Sequence, residues 1–170
     1  MKKSFPRDLT GIYFSNLTIV KFIHKEVGRS IWLCRCDCRN KIKVRRHNLT
    51  MGVTKSCSYI RRINGVLNNV FTRYKRQAKT RNLKFNLIKE QVRHLIFNKC
   101  SYCGSKPENK NTRSSLQYNG IDRLNNKKGY TKFNCVTACK YCNRGKGIRT
   151  LTEFHNWIIN IYEKSICDKH

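Results

Sequence analysis

Two cysteine pairs, Cys100-x2-Cys103 and Cys139-x2-Cys142, constrain this chain more than any other feature. Two such knuckles separated by a long loop have the spacing of a tetrahedral zinc site. One ion would close the segment from Gly104 to Ala138 and hold it in place. That segment carries Asp122, Arg123, Tyr130 and Asn134, and Asn143 follows just after the second knuckle. A carboxylate, a guanidinium, a phenol and two amides therefore meet within one short stretch.

Charge narrows the partner. The chain has 170 residues, with 37 Lys plus Arg against 9 Asp plus Glu, a formal net charge of +28. So large an excess repels itself, and a polyanion relieves the repulsion. The charge spreads over most of the chain, which favours nucleic acid over a membrane surface. No apolar run is long enough to span a bilayer, and the start MKKSFPRDLTGIYF lacks the apolar core of a signal peptide. The ten cysteines cluster as thiolate ligands rather than as a disulfide scaffold. A reducing compartment follows, and the expected location is the cytoplasm, for a prokaryotic or phage-encoded protein.

Residues 1–8 read as a loose basic arm, and Ile12 to Ile23 as one or two short strands with imperfect alternation. After a turn at Gly28, Cys34, Cys36 and Cys38 alternate with Arg35 and Asp37, so a continuous strand would turn all three to one side. Lys41 to Arg46 reads as the next strand. With Cys57 the three cysteines make a second four-thiolate zinc site. His47 is a competing ligand, and the plainer alternative is that one cysteine is buried packing. A metal would supply folding energy that so small a module lacks.

Tyr59 to Arg81 has helical spacing at Ile63, Val66, Leu67, Val70, Phe71 and Tyr74, with a break foreseen at Gly65. Its arginines and lysines suit a DNA groove or a solvated face. A second helix is expected over Leu87 to Asn98 and a polar loop over Ser105 to Ser115. Leu116 to Leu124, a turn at Asn125 to Gly129, Tyr130 to Val136 and a helix from Ala138 then read as strand, loop, strand, helix. A last helix, Thr150 to Lys164, carries Leu151, Phe154, Trp157, Ile158 and Ile161 as an apolar stripe, with Trp157 read as core packing. The expected class is α+β, in three parts: an N-terminal zinc-bound β module over residues 1–58 that contacts DNA, a basic helical segment over 59–99, and a zinc-stapled domain with a C-terminal helix over 100–170.

Cys100 to Lys146 resembles the HNH, or beta-beta-alpha-metal, nucleases, in particular the subgroup stapled by four cysteines. The resemblance rests on Tyr102-Cys103-Gly104, Asp122-Arg123, Gly129-Tyr130, Asn134, Cys139-Lys140-Tyr141-Cys142-Asn143-Arg144 and Lys146. The N-terminal Trp32 to Cys38 run, with Thr54-Lys55-Ser56-Cys57, is similar to a zinc module fused in front of phage and intron HNH endonucleases. The chain departs from the family where a histidine base is usual, because Arg123 stands there and cannot accept a proton. Asn143 stands where a metal-binding histidine often lies.

The resemblance implies a metal-dependent, sequence-specific endonuclease that hydrolyses double-stranded DNA, of restriction or homing type. By it, one catalytic Mg2+ (or Mn2+) is held by Asp122 and Asn143, and Tyr130 activates water or attacks directly. Arg123 or Lys127 favours the phenolate, Arg123 also clamps phosphate, and Asn134 holds the hairpin or positions Tyr130. The tyrosine is also reached by elimination, since His24, His47, His94, His155 and His170 all fall outside the Asp122 to Asn143 stretch. Two structural zinc ions per chain are expected. The Asp-Arg and Gly-Tyr pattern leans towards a restriction-type homodimer, and the N-terminal module leans towards homing. The competing readings are a catalytically inactive zinc-containing DNA-binding protein and a structured-RNA-binding protein.

Overall fold

A computed structural model describes Phe5, residues 7–111 and residues 115–167. Most of the basic arm foreseen over residues 1–8 lies outside the described residues, as does His170. The chain divides into two units, Met1–Asn64 and Gly65–His170.

The first unit is an antiparallel sheet of β1 (Tyr13–Phe14), β2 (Leu17–Glu26), β3 (Arg29–Cys36) and β4 (Lys41–Arg45), in that order. Two register shifts in β2, between Ile19 and Lys21 and between Phe22 and His24, account for the imperfect alternation there. Each inserts an extra residue, so Val20 and Ile23 fall out of step. The inward face of the sheet packs Leu17, Ile19, Trp32, Cys34 and Val44 with Leu9, Leu49 and Cys57. A short helix, α1 (Arg46–Thr50), stands partly where the sequence suggests strand and loop, and its buried Leu49 anchors it to the sheet.

Helix α2 (Ser58–Thr80) begins in the first unit and runs on into the second without a break at Gly65. Glycine weakens a helix by only about 1 kcal/mol, less than burial of Ile63, Val66, Leu67, Val70 and Tyr74 along one face supplies. In the second unit that face meets α3 (Lys89–Phe97) through Val92 and Ile96. The same core takes in Ile121, Tyr130 and Cys135.

Two small antiparallel pairs complete this unit: β5 (Asn109–Lys110) with β6 (Gln117–Tyr118), and β7 (Gly120–Arg123) with β8 (Cys135–Ala138). Helices α4 (Lys140–Lys146) and α5 (Leu151–Cys167) follow. The fold is mixed α+β. The return strand is shorter than the sequence suggests, because Tyr130 leaves the hairpin and bridges Phe85 instead. The Tyr130 N–H donates to Lys84 O at 2.8 Å, and Asn86 N–H donates to Tyr130 O at 2.8 Å. Gly129 permits this approach, since a Cβ there would collide with the backbone of Lys84.

The expectation for α5 needs a correction. Of its apolar stripe only Phe154 is buried, whereas Leu151, Trp157, Ile158 and Ile161 stay substantially exposed. Helical periodicity reports that a face is apolar, and a covering element must come from elsewhere in the fold.

Candidate zinc sites and an arginine-lined cleft

The sulfurs of Cys100, Cys103, Cys139 and Cys142 all lie within 4.8 Å of one another. The Cys103 to Cys139 separation is 3.8 Å, which equals the edge of a tetrahedron with zinc–sulfur bonds of about 2.3 Å. Local backbone builds both knuckles. Gly104, with φ of 72°, lets the first turn back on itself, and its N–H donates to Cys100 O at 2.9 Å. In the second, Cys139 caps α4 and its sulfur accepts from Cys142 N–H at 3.4 Å. Hydrogen bonds from the side chain and backbone of Ser105 pull the Cys103 thiol down to about 6. Burial pushes Cys142 up. Four thiol sulfurs at this spacing fit zinc, which binds thiolates without a geometric demand beyond the tetrahedron.

The N-terminal cluster holds three sulfurs, Cys36, Cys38 and Cys57, again within 4.8 Å of one another. Cys34 is not among them. It is buried in the core, its sulfur contacts Trp32 O at 3.7 Å, and burial pushes its thiol up to about 11. The reason is strand geometry. Cys34 and Cys36 both sit in β3, where residues two apart are separated by about 6.8 Å. Two adjacent inward positions of one strand cannot readily meet on one ion. Cys38 can join Cys36 because β3 has ended, and a turn through Arg39 (φ 70°) carries the chain back. His47 is exposed on α1 and is not part of the cluster. Asp37 is held by Tyr13 Oη at 2.8 Å and Asn16 Nδ2 at 3.0 Å. For Cys57, burial acts to raise the thiol, but the N–H groups of Ile60 and Tyr59 and the neighbouring thiols bring it down to about 7. The two clusters can each coordinate a zinc ion.

The C-terminal knuckles position the residues of the long loop. Tyr102, between Cys100 and Cys103, donates its hydroxyl to Asp122 Oδ2 at 2.6 Å. From α4, which starts at the second knuckle, Lys146 reaches back to the same oxygen at 3.1 Å and donates to Arg123 O at 2.9 Å. Lys146 is 0% exposed and Asp122 5%. Asp122 is thus the carboxylate of a buried ion pair. The sequence alone assigns no role to Lys146 or Tyr102. Both partners of Lys146 lie more than twenty residues upstream, beyond the reach of local spacing.

Arg123 is also tied down. One of its terminal nitrogens, Nη1, donates to Asn126 O at 2.8 Å and to Lys128 O at 2.9 Å. Its guanidinium carbon lies 5.1 Å from the Tyr130 ring centroid. Asn134 staples the loop: its Oδ1 accepts from Asn125 N–H at 2.9 Å, and its Nδ2 donates to Asn125 O at 3.0 Å and Gly129 O at 2.9 Å. These three bonds satisfy the amide and hold the turn. Asn143 Nδ2 lies 3.5 Å from Ile121 O.

Asp122, Arg123, Tyr130 and Asn143 line one cleft of about 840 Å³, with Arg73 of α2, Arg81 just past its end and Arg144 of α4. Four arginines therefore line the cleft with a single carboxylate, which is already paired with Lys146. Among the described residues, no group of three histidine, cysteine or acidic ligand atoms gathers around Asp122. Both the ammonium and the phenol engage Asp122 Oδ2, which leaves Oδ1 as the one carboxylate oxygen a divalent cation could take. The Tyr130 hydroxyl has no protein hydrogen-bond partner among the described residues, although the residue is 3% exposed. Its ring packs on Tyr74 and Phe85, with centroids 5.6 and 5.7 Å away.

No family model matches the chain. A stretch of 93 residues is 40% identical to an uncharacterised protein, R423, of Acanthamoeba polyphaga mimivirus, and it covers 55% of this chain and 16% of the viral protein. The chain thus spans under a fifth of that relative's length. Among solved structures, the rare-cutting HNH restriction endonuclease PacI overlays 59% of this chain and 74% of its own, with a TM-score of 0.43 and 21% identity. Among the described residues no helix is long and apolar enough to cross a membrane.

Proposed function

We propose that this chain is a zinc-stapled duplex-DNA-binding protein, and that the cleft between α2, the β7–β8 hairpin and α4 receives the phosphate backbone. The observation that carries this reading is the arrangement of Arg73, Arg81, Arg123 and Arg144 around one ion-paired carboxylate. Guanidinium groups bind phosphate oxygens through paired N–H donors. Helix α2 adds Arg61, Arg62, Lys75, Arg76 and Lys79 and has no acidic residue. The zinc sites supply rigidity to a chain that must hold its cations in a fixed array despite their repulsion.

Because Lys146 neutralises the Asp122 carboxylate, the binding reading needs no catalytic Mg2+, and Asp122 and Asn143 as its ligands belong to the second reading below. Asn134 acts as the staple of the 125–129 turn. Hydrolysis of the bound DNA is a second reading, on an HNH-type framework. One observation favours it: Tyr130 lines the same cleft with no hydrogen-bond partner for its hydroxyl among the described residues, and the Arg123 guanidinium lies over its ring.

Fluorescence anisotropy over a salt series tests the first reading. Duplex affinity should fall steeply with salt. Arg73→Ala with Arg81→Ala should lower the logarithmic slope by about one for each phosphate no longer neutralised, whatever the base sequence. Tighter binding to structured RNA than to duplex of equal length would refute it. Incubation of supercoiled plasmid with and without Mg2+ or Mn2+ separates the second reading. Nicking that Tyr130→Phe abolishes, with binding retained, would establish hydrolysis.

A further inference from the structure

The N-terminal cysteine cluster differs from the C-terminal one in the number of ligands it gathers. Cys36, Cys38 and Cys57 bring three sulfurs within 4.8 Å of one another, with Cys38 and Cys57 at 3.3 Å. Six other residues of this unit carry a group that zinc accepts, and among the described residues none joins the cluster. Cys34 keeps its sulfur in the core, 3.7 Å from Trp32 O. Asp37 stands between two ligands, yet Tyr13 Oη and Asn16 Nδ2 hold its carboxylate. Asp8 accepts from the N–H and hydroxyl of Thr10 at 2.9 and 2.8 Å. Glu26 pairs with Arg45 at 3.5 Å. His24 lies exposed on β2 and His47 exposed on α1.

Zinc completes a tetrahedron, and a centre with three protein ligands takes its fourth from outside the chain. An outside donor has a place to enter here. Cys36 borders a cavity of about 460 Å³ that Thr18, Arg35, Asp37 and Arg39 also line. Charge and softness decide which donor fits. A divalent ion on three thiolates carries a single net negative charge. Arg35 and Arg39, both exposed at the cavity, offset the further charge of an anionic ligand and give a neutral one no such help. Among anions, sulfur is the soft donor that a thiolate-bound zinc accepts. The C-terminal centre has no such position, because its four sulfurs fill the tetrahedron.

We propose that the Cys36, Cys38, Cys57 centre keeps an open coordination position that takes one exogenous thiolate, the thiol's proton passing to solvent. This rests on zinc at the cluster and is independent of DNA binding. Cadmium NMR of the full chain, loaded with Cd2+ in thiol-free buffer, tests it, because each sulfur ligand deshields the ion. Two resonances are expected, one at the four-sulfur position and one upfield of it. Millimolar mercaptoethanol should move the upfield resonance to the four-sulfur position and leave the other in place. Arg35→Ala with Arg39→Ala should raise the thiol concentration at half-conversion at least threefold. Cys34→Ser should leave both resonances where they are. If only one Cd2+ binds, the cluster is no metal site and the proposal falls with the zinc reading. Two ions that both resonate at the four-sulfur position without thiol overturn the open position alone, and a shift of one of them in Cys34→Ser would name Cys34 as the fourth ligand. An upfield resonance that thiol does not move likewise overturns it.

Discussion

Replacing Lys146 by Met would expose how much the second unit depends on one buried ion pair. Its Nζ lies 3.1 Å from Asp122 Oδ2 and 2.9 Å from Arg123 O, with no solvent exposure. Methionine fills a similar volume, so packing changes little. What is lost is the charge opposite a carboxylate that stays 5% exposed. Two charges at 3.1 Å interact by roughly 5 kcal/mol at an effective dielectric of 20. Measured costs of removing one partner of a buried pair are about 3–5 kcal/mol, and the orphaned Arg123 carbonyl adds about 1 kcal/mol. The expected destabilisation is therefore about 4–6 kcal/mol, or more than about 10 °C in Tm for a unit of this size.

Urea unfolding of the zinc-loaded chain measures it, in a Trp32→Phe background so that Trp157 reports the second unit alone. Asp122→Asn with Lys146→Met should cost less than Lys146→Met by itself, with a coupling of about 2 kcal/mol. A loss below about 1 kcal/mol, or strictly additive effects, would refute the argument that the pair is a unit.

Protein purified without added zinc should contain about two zinc ions per chain. Cys36→Ser, Cys38→Ser or Cys57→Ser should each remove one ion, whereas Cys34→Ser should keep both, as read by metal analysis; loss of zinc in Cys34→Ser would restore it to the ligand set. In metal-free protein, Cys103 should be the first of the C-terminal four to be alkylated at neutral pH, since it is exposed and its thiol is lowered to about 6. The sign follows from that depression: the thiolate persists down to about pH 6 and is lost below it, so mass-spectrometric labelling should slow as pH falls through 6. Gly129→Ala should destabilise the second unit by more than the ordinary effect of a loop alanine, about 1 kcal/mol, because its Cβ collides with the Lys84 backbone; chemical denaturation checks this, and a stabilised variant would contradict the close approach.

Much of this protein is legible in residue types and local spacing alone. Zinc coordination is specified by thiolates at short, fixed separations, so the Cys100, Cys103, Cys139, Cys142 site follows from the sequence. Helix α2 follows from its apolar period, and the polyanionic partner proposed here from the net charge of +28. These properties depend on neighbours within a few residues, or on none.

Tertiary structure decided the rest. Whether Cys34 joins the second metal site depends on where β3 stops, because alternate strand residues point the same way yet lie too far apart for one ion. Lys146 looks like a surface charge until folding brings it to Asp122 and Arg123, so its burial is a property of the packed hairpin and α4. Tyr130 leaves its strand for Phe85, a partner forty-five residues upstream. The apolar stripe of α5 is plain in the sequence, but periodicity cannot say which surface it meets. Only the packed unit shows that Phe154 is covered and Tyr162 is not, because burial depends on every element that comes close and not on the helix alone.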